Sequence, residues 1–122
     1  MEQVLTDQLL ERARAIPGAV RAWRLELAPA ELREICTRVR TDGGRLIAIW
    51  GEDDTDRSAR FALHVTLVIR ASILCLLMRL SQNDPAYPSI ADIFPAAGRM
   101  QRATWGLLGI RAEDSPDERK WV

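Results

Sequence analysis

Few side chains in this sequence could do chemistry unaided. There is one histidine, His64, and there are two cysteines, Cys36 and Cys75, which lie far apart inside apolar periodic segments. A zinc site needs three or four Cys, His or carboxylate ligands, so these residues alone do not supply a usual set. An iron–sulfur cluster usually takes four thiolates. The acidic run Glu52, Asp53, Asp54 and Asp56 lacks the alternating ligands, central glycine and closing glutamate of a calcium loop, and is read as a solvated loop. Nucleophilic catalysis needs a base beside the Ser or Cys; His64 is the one usual candidate, and no Gly-x-Ser-x-Gly elbow is present. Gly43-Gly44 is followed by Arg45 and Leu46, so it is neither a P-loop nor a dinucleotide fingerprint. The two cysteines are therefore expected to be free thiols, and His64 a hydrogen-bonded histidine on the polar side of a strand.

Composition supports the same picture. The chain has 122 residues, 48% hydrophobic and 28% charged, with 17 basic and 17 acidic side chains and a formal net charge of zero. That length fits one domain with a filled core, spanning 1–122 or forming the N-terminal part of a longer chain. Zero net charge removes the electrostatic drive toward nucleic acid or anionic membranes, and aromatics at 6% do not interleave with a basic run. Every basic residue except Lys120 is arginine, the cation better suited to protein contacts. No charged start precedes an apolar run, so no secretory leader is expected. Phe61 to Leu80 has the length of a membrane span, but Arg70 would sit near the bilayer centre. Two buried strands joined by a turn at Arg70-Ala71 fit better, with no direct membrane insertion.

The elements follow from periodicity. Thr6 caps a first helix carrying Leu9, Leu10, Ala13 and Ile16, ended by Pro17-Gly18. Val20 to Leu27 alternates as a strand near a sheet edge. Pro29 opens a second helix with Leu32, Ile35, Cys36 and Val39 on one stripe, stopped at Asp42-Gly43-Gly44. Leu46 to Trp50 is apolar on both faces, as in a strand covered on both sides, and Gly51 to Ser58 is a loop. Arg60 to Ile69 and Ser72 to Leu80 make a hairpin. Ile90 to Phe94 is a short apolar run. Pro95 starts a last helix with Met100, Ala103, Thr104, Leu107 and Leu108 on one face and Gly109 at its end. This order predicts an α+β two-layer sandwich: helices on one face of a small mixed or antiparallel sheet, with a C-terminal docking helix.

The segment from Tyr87 to Ile110 is more specific. Its Pro88-Ser-Ile-Ala-Asp-Ile-Phe-Pro-Ala-Ala97 run, followed by Gln101-Arg-Ala-Thr-Trp-Gly-Leu-Leu-Gly-Ile110, resembles the signature of the C subunit of NADH-quinone oxidoreductase, complex I. There, Pro-Ser-Val/Ile-x-x-x-Phe-Pro-Ala-Ala leads into Glu-Arg-Glu-x-x-Asp-Leu/Met-x-Gly-Ile/Leu. Ser115 to Lys120 is similar to the Pro-Asp-Glu-Arg-Arg of hydrogenase members, and Met100-Gln101-Arg102-Ala103 also resembles that side, the N-terminal domain of formate hydrogenlyase and hydrogenase-4 large subunits. The chain departs from the consensus at Gln101, Ala103, Gly106 and Leu108, and Asp114-Ser115-Pro116 replaces the usual Gly-His-Pro. These changes are read as divergence toward a different partner surface.

The resemblance implies an accessory subunit without a cofactor or catalytic centre of its own. Its partners would be a catalytic large subunit and an iron–sulfur small subunit, which carry the iron–sulfur clusters and nickel–iron. It would lie in the cytoplasm, peripheral to the inner face of the membrane. The alternative is a free-standing adaptor or maturation protein that reuses the fold. Interface candidates are Pro88 and Pro95, which stiffen the connection, then Arg99, Met100, Arg102 and Trp105 on the last helix, and Trp121 in the tail.

Overall fold

Two ten-residue strands, β4 (Arg60–Ile69) and β5 (Ser72–Ser81), form the centre of the molecule. They pair antiparallel through a two-residue turn in which Arg70 takes φ 56°, the left-handed conformation a tight hairpin demands. The computed structural model describes residues 1, 4–18 and 20–114. Around the hairpin the remaining strands complete a five-stranded mixed sheet in the order β1-β2-β5-β4-β3. Here β1 is Arg14–Ile16, β2 is Arg21–Glu26 and β3 is Arg45–Asp54. β2 runs parallel to β5, and the other three pairings are antiparallel.

Alternation sends Leu63, Val65 and Leu67 of β4 and Leu74, Leu76 and Met78 of β5 to one face, where each is fully or nearly fully buried. Onto that face pack α1 (Asp7–Arg12) through Leu9 and α2 (Leu32–Thr41) through Leu32, Ile35, Cys36 and Val39. Thr6 caps α1, accepting from the Leu9 N–H at 3.3 Å, and a 3-10 turn at Pro29–Glu31 leads into α2. Glu31 joins the two helices. It takes Arg12 at 2.8 and 3.1 Å and the Ala28 N–H at 2.9 Å, and both hold its carboxyl below the usual range, Arg12 first. Gly44 must be glycine: a Cβ there would meet Val39 Cγ1 and lie 2.9 Å from the Val39 and Val68 carbonyl oxygens. The expected α+β sandwich is therefore present, with its helical layer on one side.

Three local expectations are corrected. The first helix ends at Arg12, and Ala13 is already extended, with Leu9 as its buried contact. Residues 14–16, including Ile16, instead form β1, which pairs with β2 and so satisfies the outer backbone of that strand. β2 is thus second in the sheet, near its edge as expected, with β1 outside it. β3 is the other edge strand. It is not covered on both sides: a register shift between Leu46 and Ala48 breaks its alternation and leaves Ile47 and Trp50 about half exposed. β3 also continues to Asp54, because antiparallel pairing persists to Asp54–Arg60. Only Thr55–Ser58 turns away, as the short helix α3 ended by left-handed Ala59. The short apolar run 90–94 is a turn stapled by the Phe94 N–H on the Ile90 carbonyl at 2.8 Å.

The signature region builds a unit of its own. β6 (Ala86–Pro88) and β7 (Arg111–Glu113) pair in parallel, and the chain between them carries α4 (Ala97–Leu108). Gly109 closes α4 with φ 73°, as expected. The inward stripe of α4 is Ala97, Gln101 and Thr104, with Leu108 half buried against the core. Met100 packs partly buried at the margin of that face, whereas Ala103 and Leu107 turn away from it; Leu107 is 77% exposed. Close approach to β3 selects this orientation: a Cβ on Gly51 would stand 2.8 Å from Leu108 Cδ1 and 2.9 Å from Ile110 Cδ1.

Candidate functional site

The signature loop between β6 and α4 is held from two sides. From below, the side chain of Gln101, 2% exposed, reaches back along the loop. Its Oε1 accepts the Ile90 N–H at 2.9 Å, and its Nε2 donates to Ser89 Oγ at 2.9 Å. Ser89 Oγ in turn accepts the Ala91 N–H at 3.2 Å. From the side, Arg33 of α2 donates to both oxygens of Asp92, at 2.8 and 2.7 Å, and to the Ser89 carbonyl at 2.6 Å. The paired guanidinium holds the Asp92 carboxyl below its usual range, and the carboxylate raises Arg33 in return.

Gln101 also corrects the reading of its substitution as a change of partner surface. The side chain points into the domain, where an acceptor for the Ile90 N–H is required, and it touches no external face. Its sequence signal was weak, because the partner is a backbone group. Arg33 was likewise missed: it lies off the apolar stripe of α2, and its partners Asp92 and Ser89 are distant in sequence.

The predicted interface residues fall into three groups. Arg99 is exposed and shares a shallow groove with Ala96, Met100 and Ala103. Arg102 and Trp105 are half buried and carry contacts of their own within the domain. Pro95 is exposed, and its carbonyl accepts the Gly98 N–H at 3.3 Å as the chain enters α4. Pro88 is half buried in β6 and lines a separate charged cleft with Arg33, Ser89, Asp92, Glu113 and Asp114. Trp121 and the residues 115–120 that resemble the hydrogenase tail lie outside the described residues.

Reactive groups are scattered. Cys36 is fully buried, and burial pushes its thiol up to about 12. Tyr87 is also fully buried, with its phenol pushed up to about 12 by burial and pulled partly back by the nearby Thr104 hydroxyl. That hydroxyl donates to the Gln101 carbonyl at 3.0 Å, and among the described residues the phenol oxygen has no partner within hydrogen-bond geometry. His64 lies on the opposite face of the sheet, where its ring stacks on Trp50 at 3.8 Å between centroids and its Nε2 lies 3.2 Å from Glu52 Oε1. The expected hydrogen-bonded histidine is therefore found. Asp53 and Asp54 are engaged by Thr55 and by Arg57 and Ser58 respectively, each carboxyl held below its usual range by those bonds. Among the described residues no three His, Cys, Asp or Glu side chains converge on a common point. No helix among them is long and apolar enough to cross a membrane.

This arrangement defines a class first: a small mixed-sheet α+β domain whose last helix presents an outward face. Solved structures share the fold. The trypsin-resistant fragment (1–134) of Nqo5 superposes with TM-score 0.74 at 21% identity, covering 88% of this chain and 91% of that one. A chain of the membrane-bound sulfane sulfur reductase, an archaeal respiratory membrane complex, gives 0.77 at 18% identity, covering 94% and 72%. The family model of the respiratory-chain NADH dehydrogenase 30 kDa subunit matches residues 25–122, and the protein belongs to that family. The NADH-quinone oxidoreductase C subunit of Xanthobacter autotrophicus is 25% identical over 132 residues, covering 98% of this chain. This chain spans 63% of that relative's length. The C/D subunit of the Methylococcus capsulatus enzyme is 34% identical over 59 residues, 48% of this chain and 10% of that protein.

Proposed function

We propose that this protein is a cofactor-free accessory subunit of a complex I-like redox assembly, docking through α4 onto the catalytic large subunit and orienting it beside the iron–sulfur small subunit. The observation that carries the reading is the outward stripe of α4. Ala103 and Leu107 lie four residues apart on it, with Leu107 77% exposed and exposed Arg99 one turn before Ala103. An exposed apolar side chain on a helix anchored at both ends is an interface anchor that loses little entropy on binding. The hydrogenase-type variant, with a nickel–iron large subunit, is favoured within this reading by the sequence of Met100 to Ala103 and of the tail. The protein then works at the cytoplasmic face of the membrane, through its complex. Electron transfer runs through the partners, and this chain sets their geometry.

The test is recovery of the large subunit with the tagged protein from its native host. Leu107→Asp changes an exposed position, so the melting temperature stays within a few degrees of wild type while large-subunit recovery falls about tenfold or more. Undiminished recovery with Leu107→Asp overturns the docking reading. A large subunit without nickel–iron ligands sinks the hydrogenase variant alone.

A further inference from the structure

At the end of the sheet where β4 turns into β5, the helical layer does not close over the strands. Pairing sets Arg21 of β2 level with Ser72 of β5, and Ser72 level with Ile69 of β4, so the three side chains stand in a row on the helix side. Trp23, two residues along β2, lies on the same side, opposite Leu74. With Leu10 of α1 and Arg70 of the hairpin tip, these residues line a cavity of about 500 Å³. Small-molecule sites usually enclose about 300–1,000 Å³.

The cavity has an apolar floor and a cationic rim. Ile69 is 5% exposed, and Leu10 and Trp23 pack partly buried against the core. Arg21 is exposed and has no hydrogen-bond or ion-pair partner among the described residues. Arg70 donates to Asp42 Oδ1 through Nη2, at 3.1 Å, which leaves Nη1 and Nε for another acceptor. No carboxylate is among the described residues that line the cavity. A chain with no net charge therefore gathers positive charge around a concave, apolar-floored site, where the field on an anion is stronger than on open surface. Asp42 offsets one of the two guanidinium charges, and the single charge left matches a monocarboxylate better than a phosphate dianion.

We propose that this cavity binds a small monocarboxylic acid with an aromatic body. The carboxylate accepts from the guanidinium groups of Arg21 and Arg70 and from the Ser72 hydroxyl, and the ring lies against the Trp23 indole over Ile69 and Leu10. α4 lines no part of the cavity, so this binding is independent of the docking proposed for that helix.

Titration of the full chain with phenylpropionate at low salt, followed by heteronuclear NMR, tests the proposal. Saturable one-to-one binding with a dissociation constant of about 1 mM or tighter is expected, with the largest shifts at the Trp23 indole N–H and the Ser72 amide. The uncharged phenylpropionamide binds at least about tenfold more weakly, and Arg21→Gln weakens phenylpropionate by a similar factor. Arg24→Gln, on the other face of the sheet, and Leu107→Asp leave the affinity unchanged. Thermal melts confirm that these exposed substitutions leave the fold intact. Shifts that do not saturate by about 20 mM overturn the proposal. So does an amide that binds as tightly as the acid, an Arg21→Gln protein of unchanged affinity, or inorganic phosphate that binds the site as tightly as phenylpropionate.

Discussion

Replacing Gln101 by alanine removes the group on which the signature loop is built. The amide side chain satisfies the Ile90 N–H at 2.9 Å and Ser89 Oγ at 2.9 Å, and it is 2% exposed, so water does not replace it freely. A buried donor left without an acceptor costs about 1–3 kcal/mol, and the space left by the amide adds to this. The Ile90 N–H bears the full penalty. Ser89 bears less, because its Oγ keeps the Ala91 N–H. The expected loss is about 2–4 kcal/mol, or roughly 6–20 °C in melting temperature for a chain of this size. Urea unfolding followed by tryptophan fluorescence measures it directly. Gln101→Glu retains an oxygen for the Ile90 N–H and for the Ser89 hydroxyl, and is less destabilising than Gln101→Ala. Arg99→Ala, at an exposed position of the same helix, stays within about 0.5 kcal/mol. A Gln101→Ala protein that unfolds within about 0.5 kcal/mol of wild type would refute the claim that this amide organises the loop.

The Arg33–Asp92 pair should show its pH signature. Both side chains are about half exposed, so Arg33→Ala costs only about 1 kcal/mol at neutral pH. Because the folded Asp92 pKa is depressed, that contribution is present above the unfolded carboxyl value and is lost as pH falls through the folded one. The gap between wild type and Arg33→Ala in urea unfolding should shrink from about pH 5 to pH 2. A gap that stays constant would assign the effect to the Ser89 carbonyl contact alone. Thiol labelling is expected to separate the cysteines: in the native protein at about pH 8, iodoacetamide modifies half-buried Cys75 while Cys36 reacts only after unfolding, a pattern read by peptide mass. Equal labelling of both would show that the Cys36 site opens far more often than its burial implies.

The parts of the fold legible in sequence are those where one strong pattern repeats. Phe61, Leu63, Val65, Leu67 and Ile69 alternate over ten residues, so β4 and its partner were readable, as was the turn at Arg70. The stripe Leu32, Ile35, Cys36 and Val39 fixed the inward side of α2 in the same way. Three-residue strands carry no period to detect, which hid β1 and the β6–β7 pair. α4 was misoriented because both of its sides offer apolar residues. Met100, Ala103 and Leu107 look as suited to a core as Ala97, Thr104 and Leu108. The choice is made by Gly51, Leu108 and Ile110, which meet only after β3 and the turn at Gly109 have brought them together. Of the candidate site, the helix and its prolines were visible, but the buried amide was not, since a glutamine aimed at a peptide N–H looks in sequence like any surface glutamine.

Parallel pairing of β6 with β7 means that both ends of the signature segment are moored to each other as well as to the body of the domain. α4 is strung between them like a bar between two posts, with the Ser89–Gln101 hydrogen bonds as a cross-brace. A push on Leu107 is therefore handed through the neighbouring Leu108 to the outermost strand at Gly51, and the helix does not pivot alone. Whatever grips its outer side takes hold of a tile that moves as one piece with the sheet.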